Sequence, residues 1–571
     1  MSLASAVLAR RMRLARALSR DVVCERNLRV VMDDGAVLLA DRYVARATRE
    51  RPQPTVLVRS PYGRRQLVGV IFGRLLAERG LQVLVQSVRG TFGSQGVFSP
   101  FEERADGLAT LRWIRAQRWH AGRIGMFGPS YLGLVQWAVA PDAGDDLAAL
   151  AIQVSASQFH GQTYAGGSLA LETSASWLVL VAAQERRFAP LAMVRALRRL
   201  PPLFAQLPLG EFDTRATGGE VAWFRQGLAS PDRGDAYWVA RDFAAGVANV
   251  RAPVQLIGGW HDIFLPWMLE DFAALQAAQH DAQLIIGPWT HTAPGMLATG
   301  LREGLGWLRG HLLGAGRPAR ASGARVFITG DRAGGGWRSL PTWPPPGMQV
   351  RPLWLAAGGR LRDTQPVNEL ASGDRYRYDP ADPTPSVGGP VLLAREPVVD
   401  NRPLEARPDV LTYTTSPLRD TLEAIGPVSV ELFVRTSSPH FDLFARVCDV
   451  DRLNASWNVC DALVRAAPGR SAQAADQSVR VAFDLWPIGP DSRRAIASAC
   501  RCPPAPTRAT RATQAPARTP SRRPLCAPWR SSCFTTPSTR PSCDYPPPPH
   551  SARARGGPSN RQAPTGRRYC Q

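Results

Sequence analysis

Short runs of consecutive apolar residues recur through the first 320 residues of the chain. Residues 55–58, 83–85 and 150–154 are three of them. Apolar runs without alternation are typical of parallel strands that are covered on both faces of a sheet. The stretches 68–79 and 103–117, which lie between such runs, have the apolar spacing of helices. The alternation predicts an α/β fold built on a doubly wound, mostly parallel sheet.

The pattern changes twice further along the chain. Residues 155–245 are rich in Ala, Leu, Arg, Trp and Phe at helical spacing, which predicts an inserted helical cap. Beyond residue 320, strand-like pieces are separated by Pro- and Gly-rich turns, which predicts an all-β unit. Those pieces are 324–328, 353–355, 391–393, 410–414, 428–435, 443–450 and 479–486. The predicted divisions are a core in two parts (1–154 and 246–320), the cap (155–245), a β-rich domain (321–490) and a tail (491–571).

One hexapeptide carries the clearest chemical signal. Residues 124–127 are apolar, and Gly128-Pro129-Ser130-Tyr131-Leu132-Gly133 follows them directly. Residues 134–140 then have a helical pattern. A strand, a tight Gly-flanked turn that carries Ser, and a helix form a nucleophile elbow, which exposes the serine hydroxyl at the end of the strand. Ser130 is therefore the candidate nucleophile.

An acid and a base follow at the ends of two later apolar runs. Asp262 comes just after residues 254–260, and His291 comes just after residues 283–287. The order Ser, Asp, His is that of an α/β-hydrolase, in which His291 would take the proton of Ser130 and Asp262 would orient the imidazole. Each residue alone would more often belong to a turn, a helix cap or a loop, so the ordered set carries the prediction.

Four motifs together resemble a known family of α/β-hydrolases, that of cocaine esterase, the X-prolyl dipeptidyl peptidases and the cephalosporin acylases. Its nucleophile motif, Gly-x-Ser-Tyr-x-Gly, is matched at residues 128–133, and its base motif, Gly-Pro-Trp-x-His, at 287–291. Its acid motif is matched at 259–264, with His261 in place of the usual Tyr. The resemblance runs from about residue 27 to 490 and implies a hydrolase core, an inserted cap and a C-terminal jelly roll.

The fourth motif concerns the oxyanion hole. Residues 59–64 resemble the family segment that supplies a tyrosine donor. The resemblance implies that the Tyr62 hydroxyl and the Tyr131 backbone N–H bind the developing oxyanion. Glu103 and Asp106 also fall in a family-like stretch, and we expect them to be structural carboxylates. No metal or organic cofactor is expected.

The expected function is hydrolysis of an ester or amide bond of a small molecule through an acyl-enzyme. X-prolyl dipeptidyl-peptidase activity is an alternative, and it would need a cap carboxylate, such as Glu172 or Glu185, to bind the substrate amine. Neither carboxylate stands out, so an esterase or acylase is favoured. Phe159, Tyr164 and Trp177 are pocket candidates, although aromatic residues at helical spacing more often serve packing.

The last 81 residues differ from the rest. Residues 491–571 hold 15 Arg, 15 Pro and six of the nine Cys but only two acids, a composition that predicts disorder. Residues 495–502 also resemble an out-of-frame reading of the family's final strands, so we hypothesise a frameshift between about 487 and 494. A second alternative follows, in which the chain is an inactive product of a frameshifted gene.

The net charge of +22 does not by itself indicate a nucleic-acid partner. The tail contributes +13 (15 Arg minus two acids), the remaining +9 is dispersed, and Lys is absent, which indicates GC-rich coding. Only Cys24, Cys448 and Cys460 lie outside the tail, which favours a reducing, cytoplasmic location. No apolar run approaches the ~18 residues of a membrane span, so no membrane partner is expected. The sequence leaves the oligomeric state open, a homodimer included.

Overall fold

Strands and helices alternate along the first 315 residues, as the apolar runs predict. The structure is a computed structural model that describes residues 2–315, 323–330, 336–366, 373–393, 396–466, 472–473, 478–492 and 495–501. The strands are β1 Val22–Val31, β2 Val37–Ala45, β3 Gln53–Ser60, β4 Gln82–Ser87, β5 His120–Pro129, β6 Leu147–Gln153, β7 Val254–His261, β8 Ala282–Thr290, β9 Gly323–Gly330, β10 Gly336–Leu340, β11 Trp354–Ala356, β12 Arg360–Arg362, β13 Leu411–Thr414, β14 Leu422–Glu423, β15 Gly426–Val434, β16 Phe441–Val450, β17 Ser456–Ala466, β18 Ala472–Gln473, β19 Val479–Ile488, β20 Pro490–Ser492 and β21 Ala495–Arg501.

The helices cluster in the core and in the cap. They are α1 Ser2–Arg11, α2 Gln66–Val68, α3 Leu75–Ala77, α4 Arg104–Arg115, α5 Tyr131–Trp137, α6 His160–Thr163, α7 Leu171–Ala183, α8 Ala189–Arg199, α9 Phe212–Thr217, α10 Ala222–Ala229, α11 Ala236–Val239, α12 Leu265–Ala277, α13 Pro294–Leu313 and α14 Arg402–Glu405. A π-helical segment, Gly69–Arg74, joins α2 to α3, so the helix predicted over 68–79 is present but irregular.

The large sheet has the order β1-β2-β4-β3-β5-β6-β7-β8-β9-β20-β14, and β10 pairs with β9. Neighbouring strands pair in parallel from β4 through β3 to β9, whereas β1 pairs antiparallel with β2, and β2 pairs antiparallel with β4. Every residue of β4 is buried, as expected for a strand covered on both faces. Because β5 to β8 run parallel, the carboxyl ends of β5, β7 and β8 lie at one edge of the sheet.

The chain between β6 and β7 contains only helices, from α6 to α11 and a closing 3-10 turn at Ala244–Asn249. Helices α7 and α9 share a small apolar core of their own with neighbouring segments, around Leu178, Phe212 and Phe224. The two ends of this insertion meet at Ser157, whose backbone oxygen accepts a hydrogen bond from Phe243 N at 3.0 Å. The helical cap predicted over 155–245 corresponds to this insertion.

The C-terminal part of the chain is rich in strands. A six-stranded sheet has the order β11-β12-β13-β21-β16-β17, and a three-stranded sheet has the order β15-β19-β18. Two short strands of this part, β20 and β14, extend the large sheet. The jelly-roll arrangement remains a prediction.

Two expectations need correction. Residues 391–393 form a turn and not a strand, because they belong to an irregular, Pro- and Gly-rich loop, and Leu392 and Leu393 pack against the apolar core from it. The disordered tail was predicted from residue 491, yet β20 and β21 lie within its first residues, and the β21 backbone pairs with both β13 and β16. The rest of the predicted tail, 502–571, lies outside the described residues. The frameshift hypothesis remains a prediction.

Two further features of the described residues bear on the expectations. Among them, no helix is long and apolar enough to cross a membrane.

Cys24, Cys448 and Cys460 are free thiols, and burial raises the pKa of the Cys448 thiol to about 12.

Candidate active site

Ser130 lies on the sharp turn between β5 and α5. Its backbone has φ 56° and ψ −123°, a strained conformation that a serine adopts only when its surroundings impose it. The Ser130 N–H donates to Gln153 O at 2.8 Å, which fixes the turn on the neighbouring strand. A side chain at Gly133 would lie 2.5 Å from Ser155 Cβ, so only glycine allows this close approach. The predicted elbow is therefore formed.

His291 and Asp262 meet Ser130 at the same edge of the sheet. His291 Nε2 lies 3.0 Å from Ser130 Oγ, and His291 Nδ1 lies 2.7 Å from Asp262 Oδ2. Asp262 is fully buried, and its other carboxylate oxygen accepts the Phe264 N–H at 2.9 Å. The structure brings together the three residues predicted from the sequence, in a serine–base–acid chain. His291, and not His261, contacts the acid.

The loop that carries Asp262 is also held from the β-rich part of the chain. Trp486 of β19 donates its indole N–H to the Asp262 backbone oxygen at 3.0 Å. Its ring also packs edge-on against Trp267 of α12, with 5.8 Å between ring centroids. Sequence reasoning missed Trp486, because it lies 224 residues from Asp262 and no local motif marks it.

Tyr62 lies in the loop after β3 and lines the same pocket as Ser130. Its hydroxyl accepts the indole N–H of Trp177 at 3.0 Å, so its own proton remains available for donation. Burial of the ring raises the pKa of Tyr62 to about 12, with the Trp177 hydrogen bond acting weakly in the opposite direction. At neutral pH the phenol is therefore a hydrogen-bond donor.

Tyr131 is anchored by its side chain at the start of α5. Its hydroxyl donates to Glu103 Oε1 at 2.5 Å and accepts the Phe101 N–H at 3.0 Å. Glu103 forms a buried ion pair with Arg59 at 2.8 Å. Burial holds the pKa of Tyr131 well above its usual value and also raises that of Glu103. This network fixes the residue whose backbone N–H follows the nucleophile.

The second family-like carboxylate, Asp106, has a similar supporting position. It accepts two hydrogen bonds from the Arg89 guanidinium, at 2.9 and 2.6 Å. Neither Glu103 nor Asp106 lines the pocket, and both bind arginines of the core.

The pocket above Ser130 is apolar and aromatic, with a volume of about 80 Å³. The rings of Trp177 and Phe101 stack with 5.6 Å between their centroids, and the ring centroids of Phe159 and Phe264 are 4.3 Å apart. Leu392, from the loop predicted as a strand, is also part of the wall. Of the three aromatic candidates, Phe159 and Trp177 line the pocket. The third, Tyr164, turns into the cap, where its hydroxyl donates to Gly227 O at 2.8 Å.

The pocket lining within the described residues contains no charged side chain. Glu172 instead accepts a hydrogen bond from Ser176 Oγ at 3.0 Å, and burial raises the pKa of its carboxyl. Glu185 accepts the Phe92 N–H at 3.0 Å. Neither cap carboxylate that the sequence offered for an amine contact lines this pocket. The described residues also contain no cluster of His, Cys, Asp and Glu that could hold a metal ion.

Comparison with known proteins places the chain in a family. Residues 34–293 match the X-Pro dipeptidyl-peptidase (S15 family), and residues 319–491 match the X-Pro dipeptidyl-peptidase C-terminal non-catalytic domain. Over 488 residues the chain is 30% identical to cocaine esterase of Rhodococcus sp. (strain MB1 Bresler), an alignment that covers 77% of this chain and 82% of that relative.

The chain belongs to the family of cocaine esterase and the X-Pro dipeptidyl-peptidases. Members of this family are hydrolases, so the chain is an enzyme of the serine-hydrolase type. The division into an α/β-hydrolase core and a C-terminal, non-catalytic β domain is that of the family.

Solved structures show the same fold. An aminopeptidase from a marine sediment archaeon, Thaumarchaeota archaeon, aligns with a TM-score of 0.69 at 19% identity, covering 85% of this chain and 90% of that chain. An α-amino acid ester hydrolase aligns with a TM-score of 0.66 at 20% identity, covering 86% and 91%. At these identities the likeness speaks for the architecture and not for the substrate.

Proposed function

We propose that the chain is a serine esterase that uses Ser130, His291 and Asp262 as a catalytic triad. The observation that carries the proposal is the 3.0 Å contact between His291 Nε2 and Ser130 Oγ at the floor of an apolar pocket. A nucleophile and a base within hydrogen-bond reach, with the base oriented by a third group, are what covalent acyl transfer requires.

In the proposed mechanism, Ser130 Oγ attacks the carbonyl carbon of the ester while His291 Nε2 takes its proton. The protonated imidazole, stabilised by Asp262, then gives that proton to the departing alkoxide. Water, activated by His291, attacks the acyl-enzyme and releases the acid. The tetrahedral intermediate at each step carries a negative oxygen, which Tyr62 and the Tyr131 N–H would bind.

The neutral pocket favours an ester or acyl substrate over an X-prolyl peptide. A dipeptidyl peptidase must bind a charged substrate amine, and burying that charge without a carboxylate is costly. Neither Glu172 nor Glu185 lines the pocket. Glu185 accepts the Phe92 N–H, and Glu172 accepts a hydrogen bond from Ser176 Oγ through Oε1 while its Oε2 is buried without a partner among the described residues. Aromatic walls such as Phe101 and Trp177 instead suit an uncharged apolar acyl group.

The test is hydrolysis of a panel with matched leaving groups: short and aryl p-nitrophenyl esters, the corresponding anilides, and glycyl-prolyl p-nitroanilide. We expect turnover of the esters, slower turnover of the anilides and none of the X-prolyl peptide. Ser130→Ala should abolish turnover, whereas Ser155→Ala, a change to a buried serine outside the elbow, should keep it. Turnover of the X-prolyl peptide above that of the esters would support the dipeptidyl-peptidase alternative.

The inactive-product alternative predicts no turnover of any substrate by a soluble, folded sample. A cytoplasmic location is proposed with the esterase function, since Cys24, Cys448 and Cys460 are free thiols.

A further inference from the structure

A second cavity is lined by helices α7, α8 and α9 of the cap and is open to solvent. Its volume is about 320 Å³, within the range of small-molecule pockets and far above the roughly 10–15 Å³ that one water needs. It shares no lining residue with the pocket above Ser130. The proposed esterase mechanism makes no use of it.

Four arginines line this cavity, and no carboxylate does. They are Arg186, Arg195, Arg199 and Arg215, and most of the remaining wall is alanine. An arginine guanidinium keeps its charge across the physiological pH range, so the four repel one another across the cavity. Arg186, Arg195 and Arg199 are exposed, so water screens part of this repulsion, and a bound anion would lower it further.

The nearby acids leave most of this charge unbalanced. Glu211 pairs with Arg215 at 2.8 Å, but Asp213 and Glu220 both pair with Arg225, outside the cavity. Among the described residues, neither Arg195 nor Arg199 has an ion-pair partner. Arginines of the core differ, since Arg59 and Arg89 each bind a buried carboxylate.

One guanidinium nitrogen points more directly to a ligand. Arg215 Nη2 is satisfied by Glu211 and by Pro208 O, but Arg215 Nη1 is buried and has no hydrogen-bond partner within the described structure. A buried donor without an acceptor is unfavourable, so a ligand oxygen within its reach would stabilise it. Arg195 and Arg199, one turn apart on α8, also line the cavity and are exposed to solvent.

We propose that this cavity binds a small phosphate-type oxyanion, an inorganic or organic phosphate, through Arg195, Arg199 and Arg215. Phosphate oxygens match the planar fork of a guanidinium and accept its N–H groups in pairs. The alanine side chains leave room for the organic part of a phosphate ester. The proposal is independent of catalysis and does not rest on the esterase function.

The experiment is calorimetric titration of the full chain with pyrophosphate at low ionic strength, with sodium chloride of equal ionic strength as the blank. We expect one saturable site on the wild-type chain. Arg195→Ala and Arg199→Ala should each weaken binding at least about tenfold, since a charge-assisted hydrogen bond contributes roughly that much. Arg198→Ala is the matched control, because it removes the same charge from the same helix outside the cavity, and it should change affinity less than about twofold.

Ala196→Glu is a second, independent variant. It places a carboxylate in the cavity wall with the same change in net charge, and it should abolish binding. Melting of each variant without ligand confirms that it is folded, and alanine and glutamate are both good helix formers. The absence of a saturable site on the wild-type chain would overturn the proposal. So would an equal loss in Arg198→Ala, which would indicate diffuse attraction to a basic surface.

Discussion

Trp486 offers the sharpest test of how the β domain supports the proposed triad. Its indole N–H is 3.0 Å from the backbone oxygen of Asp262, the residue that orients His291. Replacing Trp486 by Phe removes this donor and keeps an aromatic ring against Trp267. The substitution therefore isolates the hydrogen bond from the packing.

The expected magnitude follows from one hydrogen bond. A neutral bond contributes about 0.5–1.5 kcal/mol net, and a buried acceptor left unpaired costs up to about 3 kcal/mol. If the transition state loses this stabilisation, kcat falls by about 2- to 10-fold for the net loss of one neutral bond, and by about 100-fold if the full cost of the unpaired acceptor is felt. Trp486→Ala should cost more, because it also removes the ring that packs on Trp267.

The assay is the pH dependence of kcat/KM for an ester substrate, with Trp457→Phe as the control. Trp457 belongs to the same domain, and its indole donates to Asp451 at 3.1 Å, away from the pocket. A displaced Asp262 stabilises the imidazolium of the transition state less, so kcat/KM of Trp486→Phe should fall below that of Trp457→Phe. A Trp486→Phe profile identical to that of Trp457→Phe in height and position would refute the reasoning.

Three further predictions concern the oxyanion hole, the root of the cap and the contact between cap and β domain. Tyr62→Phe should lower kcat for esters about 10²- to 10³-fold with little change in KM, because it removes an oxyanion donor. Burial raises the pKa of Asp271, which binds Ser157, to about 8, above its unfolded value. The stability this gives is fully present below about pH 4 and is lost as pH rises through about 8. The melting temperature of wild type should therefore fall relative to that of Asp271→Asn as the pH is raised from 5 to 9. Gly166→Ala should lower the melting temperature, since Gly166 has φ 59° and its new methyl would meet Leu463 O.

Each of these outcomes has a contrary result. Equal kcat values for Tyr62→Phe and wild type would show that the phenol does not stabilise the oxyanion. A constant melting difference between Asp271→Asn and wild type across the pH range would mean that the carboxyl is ionised in the folded chain. For the third, Gly210→Ala is the control, because Gly210 has open space around its Cα. Equal melting temperatures for Gly166→Ala and Gly210→Ala would contradict a tight contact between the cap and the β domain at Gly166.

The parts of the site that could be predicted from the sequence are those set by local structure. Ser130, Asp262 and His291 each follow a buried strand, and parallel strands bring their carboxyl ends to one edge of the sheet. The glycines around Ser130 indicate a tight turn whatever the rest of the chain does. The helical content of the cap was likewise evident from its spacing.

What could not be predicted depends on contacts between distant segments. Trp486 reaches Asp262 across 224 residues, and Leu392 enters the pocket wall from a loop whose apolar run suggested a strand. A short apolar run cannot by itself distinguish a strand from a loop that packs on a core. Composition was misleading for β21. Its Arg- and Cys-containing sequence suggested disorder, whereas its backbone pairs with both β13 and β16.

The measurement that tests the central claim most directly is labelling of the purified full chain with a fluorophosphonate, followed by mapping of the adduct by mass spectrometry. The account predicts stoichiometric labelling at Ser130 and loss of labelling in His291→Ala, since the serine needs His291 Nε2, 3.0 Å away, to become nucleophilic. A folded chain that remains unlabelled, or that carries the label on another serine, would contradict the assignment of Ser130, His291 and Asp262 as the catalytic triad.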